Sequence, residues 1–106
     1  MFELDSHEFV VGDRRFTVFN AADDGLIAHS LSETGTWEPW QLSLYETIIR
    51  PGMICYDIGA NIGTSSMAMS LHNEGATVYA FEPVSGTREI LNRNLDYNSI
   101  DNVVVQ

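Results

Sequence analysis

The stretch Asp57-Ile58-Gly59-Ala60-Asn61-Ile62-Gly63 decides how this chain folds. It follows the apolar run 53–56 and precedes a segment that suits a helix, so it predicts a strand, a tight glycine turn and a helix start. Such a turn brings a nucleotide-like ligand against the backbone. A second apolar strand, 77–81, ends at Glu82-Pro83, where a carboxylate can accept both hydroxyls of a ribose. The two strands together predict a nucleotide-type site at their carboxyl ends.

The spacing of the glycines distinguishes between two cofactors. A dinucleotide fingerprint starting at Gly59 requires glycine at positions 61 and 64, which hold Asn61 and Thr64. The methyltransferase pattern, acidic-x-Gly-x-Gly-x-Gly, is met by Asp57, Gly59 and Gly63, and Asn61 is its one departure. The spacing therefore favours S-adenosylmethionine over a nicotinamide dinucleotide.

Three segments of the chain resemble the FkbM family of class I S-adenosylmethionine-dependent methyltransferases. They are the glycine turn 57–63, the strand end 79–83, and Leu91-Asn92-Arg93-Asn94-Leu95 with Asn98. Asparagine at position 61 is usual in that family. The resemblance covers about residues 30–106, including Gly35-Thr36-Trp37-Glu38-Pro39-Trp40, and is weaker before them. It implies O-methylation of a sugar or natural-product hydroxyl.

The residues around the turn are the candidate cofactor ligands. Gly59 lacks a Cβ, which lets the adenosyl-methionine portion approach the backbone, and Gly63 lets the helix start tightly beneath it. Asn61 tolerates a left-handed conformation and offers an amide to the methionine end. We expect Asp57 to act towards the methionine ammonium, and Glu82 to bind the ribose hydroxyls. Ala60 and Pro83 complete the set at the turn and the strand end.

Glu38 is a further candidate. The helix dipole favours a carboxylate at a helix start, which would explain Glu38 without a ligand, but the family resemblance places its segment near the methionine end of the cofactor. No catalytic base is named, since the resemblance places the acceptor pocket in strands that this chain does not supply. The three histidines are isolated in the sequence, which predicts no metal site.

The fold prediction is α/β, a partial Rossmann-like class I methyltransferase sheet behind an N-terminal β-hairpin. Three parallel strands are expected near 53–58, 77–81 and 102–106, and right-handed crossovers order them third, second, first. The hairpin pairs 9–11 with 15–19 through Gly12-Asp13. We predict a hairpin and loop extension over 1–35 and a truncated methyltransferase domain over 36–106.

The helices are predicted from apolar spacing and terminal signals. A helix is predicted by an apolar stripe, which consists of Trp37, Trp40, Leu44, Tyr45 and Ile48. We expect Thr36 to cap this helix and Pro39 to lie in its first turn. Both tryptophans are expected to pack on the sheet. A helix follows over about 62–71, and a short element of unassigned type lies around 26–31. In the next helix the inward residues are Ile90, Leu91 and Leu95, the cap is Ser85 or Thr87, and the left-handed terminator is Asn98.

The charge balance bears on the partners. The chain has 15 Asp and Glu against 5 Arg, contains no Lys, and has a net charge of -10. So few basic residues cannot form a surface that follows a phosphate backbone, which argues against nucleic acid as a partner. The family resemblance implies a small molecule or glycan as the acceptor. The same composition is also typical of proteins adapted to high salt.

Two further expectations concern location and association. No stretch reaches the length of a membrane span and the N-terminus lacks the features of a signal peptide, so we expect a cytoplasmic protein with no membrane contact. The apolar run without alternation at 53–58 is typical of a strand covered on both faces. If the first core strand lies at the edge of the sheet, its unpaired backbone groups predict self-association.

Two other functions remain open at this stage. One is a nicotinamide-dependent oxidoreductase half-domain, which Asn61 and Thr64 disfavour. The other is a non-catalytic binding or assembly module that keeps the half-fold.

Overall fold

Two β-sheets and four helices make up the described part of the chain, residues 3–22, 25–72 and 77–106, in this computed structural model. The strands are β1 Leu4–Val11, β2 Arg14–Ala21, β3 Ile54–Ile58, β4 Thr77–Phe81 and β5 Val103–Val105. The helices are α1 Gly25–Thr34, α2 Pro39–Ile48, α3 Thr64–His72 and α4 Ser85–Tyr97.

The second sheet confirms the predicted strand order. Its three strands are parallel and lie in the order β3-β4-β5, with Tyr56 opposite Tyr79 and Tyr79 opposite Val104. Since the strands run in one direction, the carboxyl ends of β3 and β4 lie side by side, where open α/β sheets bind ligands. The fold class is therefore α/β with part of a methyltransferase-type sheet.

The N-terminal hairpin is also confirmed and is longer than predicted. β1 and β2 pair along eight residues each, and the turn between them places Gly12 at a φ of 60°. Phe9, Phe16 and Val18 are buried in the same apolar cluster as residues of α3 and α4. The hairpin thus shares a core with the parallel sheet, while the division at residue 35 stays a prediction.

Helix α2 differs from the prediction at its start. Its N-cap is Glu38, and the hydroxyl of Thr36 is buried with no hydrogen-bond partner among the described residues. Trp37 packs partly buried against the core, but Trp40 is 65% exposed, so the prediction that both tryptophans pack is wrong for Trp40. Helix α2 packs mainly against α3 and not on the sheet. Trp40, Leu44 and Ile48 lie four residues apart and form an exposed apolar stripe.

Helix α4 has the predicted inward residues but different ends. Ile90, Leu91 and Leu95 are buried. The N-cap is Val84 and makes no side-chain capping bond, so neither predicted cap residue acts as one. At the other end Asn98 has a φ of -92°, and the left-handed residue is its neighbour Ser99, at a φ of 55°. Asn98 instead uses its side chain to bind the hairpin.

One face of the parallel sheet is open, which corrects the expectation that 53–58 is covered on both sides. Ile54, Tyr56 and Ile58 are 62%, 65% and 76% exposed, whereas Cys55 and Asp57 between them are partly buried. Helix α3 packs against all three strands. Successive residues of a strand point to opposite faces, so α3 covers one face. On the other face the β3 side chains remain exposed, while Tyr79 and Phe81 of β4 are partly buried.

The undetermined element near 26–31 is helix α1, which packs against β1 and buries Ile27 and Leu31. No helix within the described residues is long and apolar enough to cross a membrane.

Gly63 has a close packing contact that generates a test of the fold. A Cβ at this position would lie 2.5 Å from Cδ1 of Leu91, whose side chain is fully buried. Gly63→Ala should therefore lower the free energy of unfolding by about 1–3 kcal/mol more than Gly52→Ala, measured by urea denaturation. Gly52 is the matched control because its φ is also positive, at 89°, but the space around it is open. Equal losses in the two variants would contradict the packing argument.

Candidate functional site

The turn between β3 and α3 adopts an unusual backbone conformation. Gly59, Asn61 and Gly63 have φ values of 76°, 56° and 101°. The left-handed conformation expected of Asn61 is thus confirmed, and asparagine tolerates it better than most residues do. A Cβ at Gly59 would meet no atom within 4 Å, so the space above this glycine is open to a ligand.

Three backbone N–H groups of the turn donate hydrogen bonds to the end of β4. Those of Gly59 and Ala60 donate to the carbonyl of Phe81, each at 2.9 Å. The N–H of Asn61 donates to Oε1 of Glu82 at 2.9 Å, and that of Val84 donates to Oε2 at 3.0 Å. The Glu82 carboxylate, 9% exposed, therefore joins the turn to the start of α4.

A cavity of about 260 Å³ lies beside the turn. It brings together five of the eight residues predicted to bind the cofactor: Glu38, Asp57, Gly59, Ala60 and Asn61. Glu82 is adjacent through its hydrogen bond to Asn61. Gly63 and Pro83 do not line the cavity; Gly63 packs on α4, and Pro83 is exposed. Their roles in binding stay predictions.

Glu38 lies at the cavity in a strained conformation. Its φ of 48° and ψ of 62° are left-handed, and its side chain makes no capping bond to α2. Left-handed backbone is uncommon outside glycine and asparagine and is found preferentially at functional sites. Glu38 lines the cavity, and its side chain does not cap α2.

The cavity is also lined by seven residues that were not predicted to bind the cofactor. They are Ile27, Trp37, Gln41, Tyr45, Ile58, Thr64 and Ser65, all of which line the cavity. The Tyr45 hydroxyl donates to Oε1 of Gln41 at 3.1 Å, and the Ser65 hydroxyl donates to the same oxygen at 3.4 Å. The sequence did contain a signal for this polar pair, because Gln41 and Tyr45 lie four residues apart and therefore on one face of α2.

Burial raises the pKa of the Tyr45 hydroxyl, the hydrogen bond with Ser65 lowers it in part, and the negative charges of Asp57 and Glu38 raise it further. Tyr45 is therefore a neutral hydroxyl at physiological pH. It presents the cavity with a hydrogen-bonding group that carries no charge of its own.

Asp57 is the carboxylate at the centre of the cavity wall. Burial raises its pKa above the ordinary value of 3.8, while the hydroxyl of Ser66, which donates to Oδ2 at 2.6 Å, lowers it in part. The ligand-free fold thus gains stability from protonated Asp57 below the ordinary pKa and loses it as the pH rises through the raised one. A cation bound beside Asp57 would favour the charged form and reverse this cost.

Within residues 3–22, 25–72 and 77–106, no three His, Cys, Asp or Glu side chains are placed to hold a metal ion. The site as described consists of carboxylates, amides and hydroxyls around a glycine turn.

Comparison with solved structures identifies the fold. The chain matches a protein-L-isoaspartate O-methyltransferase with a TM-score of 0.60 and 20% identity, over 98% of this chain and 28% of that protein. It matches the M. jannaschii TYW2 protein, solved with AdoMet, with a TM-score of 0.64 and 14% identity, over 99% of this chain and 44% of that protein. It matches a geranyl diphosphate methyltransferase, solved with SAM, with a TM-score of 0.58 and 20% identity, over 99% of this chain and 42% of that protein. The fold is part of a class I methyltransferase fold. The chain spans less than half the length of each of these proteins.

Comparison with curated proteins gives a partial match. The chain is 49% identical over 35 residues to the 31-O-demethyl-FK506 methyltransferase FkbM of Streptomyces tacrolimicus. The aligned segment covers 33% of this chain and 14% of that enzyme. Part of this chain is FkbM-like. No family model matches the sequence. The FkbM-like resemblance seen in the sequence therefore has support from this partial match.

Ser66 provides a test of the electrostatics at Asp57. Ser66→Ala should raise the pKa of Asp57 further, because the hydrogen bond that favours the carboxylate is lost. The pKa is measured from the carboxyl carbon chemical shift during an NMR titration. Ser70→Ala is the matched control, since this buried serine of α3 donates to the carbonyl of Met67 instead. A pKa that Ser66→Ala leaves unchanged would contradict the assignment.

Proposed function

We propose that this chain is the cofactor-binding part of an S-adenosylmethionine-dependent methyltransferase of FkbM type. One observation supports this most directly. The Glu82 carboxylate at the end of β4 is hydrogen-bonded to the turn residue Asn61, across the same turn from Asp57. A methyltransferase-type fold with these two carboxylates suits a ligand that has a diol at one end and an ammonium at the other.

The residues present fit that cofactor. Each Glu82 oxygen accepts one backbone N–H and has a further lone pair, so both can also accept from ribose hydroxyls. The open space above Gly59 lets the ligand approach the backbone. Asp57, with Glu38 nearby, provides negative charge for the methionine ammonium, and Asn61 provides an amide. When bound, S-adenosylmethionine supplies an electrophilic methyl group on a sulfonium.

The size of the cavity suggests which part of the cofactor it holds. Its volume of about 260 Å³ is slightly below the roughly 300–1,000 Å³ of most small-molecule sites. We assign it to the methionine end, next to Asp57, and place the ribose at Glu82. The remaining wall would come from further strands of a longer protein, of which this chain is the N-terminal part.

We further propose an O-methylation whose acceptor is a small-molecule or glycan hydroxyl, in the cytoplasm, with neither nucleic acid nor membrane as a partner. The net charge of -10 and the absence of lysine support the exclusion of nucleic acid. The FkbM-like match supports the oxygen acceptor. Positioning of donor and acceptor in line is the main contribution that a protein makes to such a transfer.

Titration with S-adenosylhomocysteine tests the cofactor assignment. We expect the folded chain to release or absorb heat on binding it, and Glu82→Gln to weaken the affinity by roughly tenfold to a hundredfold, because a hydrogen bond to a charged acceptor is lost. The measurement is isothermal titration calorimetry. Glu89→Gln, an exposed glutamate of α4, is the control for the charge change and should bind like the unaltered chain.

Other outcomes of this titration assign other functions. Binding of NAD without binding of S-adenosylhomocysteine would establish the nicotinamide alternative. A folded chain that binds neither ligand would contradict the proposal for this chain and favour the non-catalytic module. Circular dichroism in the same buffer establishes whether each sample is folded.

We propose that the open apolar face and outer edge of β3 mediate self-association. Ile54, Tyr56 and Ile58 expose three apolar side chains on a strand that pairs only with β4 among the described residues. Exposed apolar edge strands are sites of intermolecular pairing. In a longer protein the outer edge of β3 would pair with the next strand of the sheet.

Ile54→Lys should therefore shift the chain towards monomer, because a lysine on an edge strand opposes intermolecular pairing. Sedimentation velocity measures the distribution of species. Leu26→Lys, a 71% exposed leucine on α1, controls for a lysine placed on an apolar surface elsewhere. A monomeric unaltered chain, or equal effects of both lysines, would contradict the assignment to β3.

A further inference from the structure

We propose that Asn94 is a positioning residue for the cofactor turn, a role that rests on the function proposed above. Asn94 lies on α4, is fully buried, and does not line the cavity. Its Nδ2 donates to the carbonyl of Ile62 at 2.8 Å. Ile62 stands between Asn61 and Gly63, two of the three turn residues with positive φ that precede α3.

The same amide binds the N-terminal hairpin. Oδ1 of Asn94 accepts from the N–H of Phe19 at 2.7 Å, and Nδ2 also donates to the carbonyl of Phe19 at 3.1 Å. The side chain thus pairs with the backbone of β2 as a neighbouring strand would, and its second N–H remains for Ile62. One buried side chain connects the hairpin, α4 and the turn.

Asn98 repeats the hairpin contact and lacks the contact to the turn. Its Oδ1 accepts from the N–H of Thr17 at 3.0 Å, and its Nδ2 donates to the carbonyl of Thr17 at 2.7 Å. Its other contact is the carbonyl of Asn94, at 2.8 Å. Since the two asparagines lie one helical turn apart and bind alternate residues of β2, the chain contains its own matched control.

The turn also depends on α4 through packing. Leu91, one turn before Asn94, fills the space where a side chain at Gly63 would lie. Leu91 therefore packs against Gly63, and Asn94 donates to the carbonyl of Ile62. Glu82 accepts a hydrogen bond from the N–H of Asn61. A turn held in its binding conformation before the ligand arrives binds with less loss of entropy. Without the bond from Asn94, the buried carbonyl of Ile62 loses this donor and the turn loses one of its supports.

The first experiment measures the turn itself in Asn94→Ala and Asn98→Ala. Both variants should lose stability, because each loses its bonds to β2. Backbone amide hydrogen exchange at residues 59–64 should rise in Asn94→Ala well beyond the increase in Asn98→Ala, after correction for global stability. Equal exchange in the two variants would overturn the proposal. This comparison needs no ligand, so it decides the positioning role even if the chain binds no cofactor.

The second experiment measures binding of S-adenosylhomocysteine. Asn94→Ala should lose about fivefold or more in affinity, while Asn98→Ala should stay close to the unaltered chain. If the unaltered chain binds and both variants match it, the positioning role fails and the cofactor assignment survives. If the unaltered chain does not bind, the cofactor assignment fails.

A third measurement applies where Asn94→Ala does not fold. In the unaltered chain, the side-chain NH₂ resonances of Asn94 should shift on saturation with S-adenosylhomocysteine, and those of Asn98 should not. Asn94 resonances that do not move would overturn the proposal.

Discussion

The hydrogen bond between the Glu82 carboxylate and the N–H of Asn61 is the contact on which the site depends. It joins the turn after β3 to the end of β4, and the second carboxylate oxygen binds Val84 at the start of α4. The turn needs this external support because it contains three residues with positive φ within five positions. The parallel order of the strands places the donor and the acceptor side by side, since both lie at carboxyl ends of neighbouring strands.

Helix α4 supplies the complementary support from below the turn. Its buried face combines apolar residues with Asn94, and the partly buried Asn98 follows at the C-cap. The side-chain amides of these two residues bind alternate residues of β2 in place of a strand partner. The hairpin is thereby attached to the parallel sheet through polar contacts as well as through the shared apolar core. Buried amides that make all their hydrogen bonds define one arrangement of the packed elements, because any displacement leaves a polar group without a partner.

The open face of β3 shows the opposite condition. Three apolar side chains are exposed there, on a strand type that is buried on both faces in complete α/β sheets. The solved structures that share this fold are more than twice as long as this chain. A surface of this kind gains free energy from any cover that excludes water, whether more strands of the same protein or a second copy.

The sequence by itself determined the strands, their order, the hairpin, the inward residues of α4 and the left-handed turn at Asn61, because these depend on local spacing and on glycine and asparagine geometry. It did not determine the helix caps, the exposure of Trp40, or the cavity residues of α2. Caps and cavity walls depend on contacts between distant segments: the Ser65 hydroxyl of α3 donates to Oε1 of Gln41 on α2, and Asn98 binds Thr17 across 81 positions of sequence. Only the tertiary structure could show that an asparagine in an apolar stripe holds the carbonyl of Ile62, since its partners lie on two other elements.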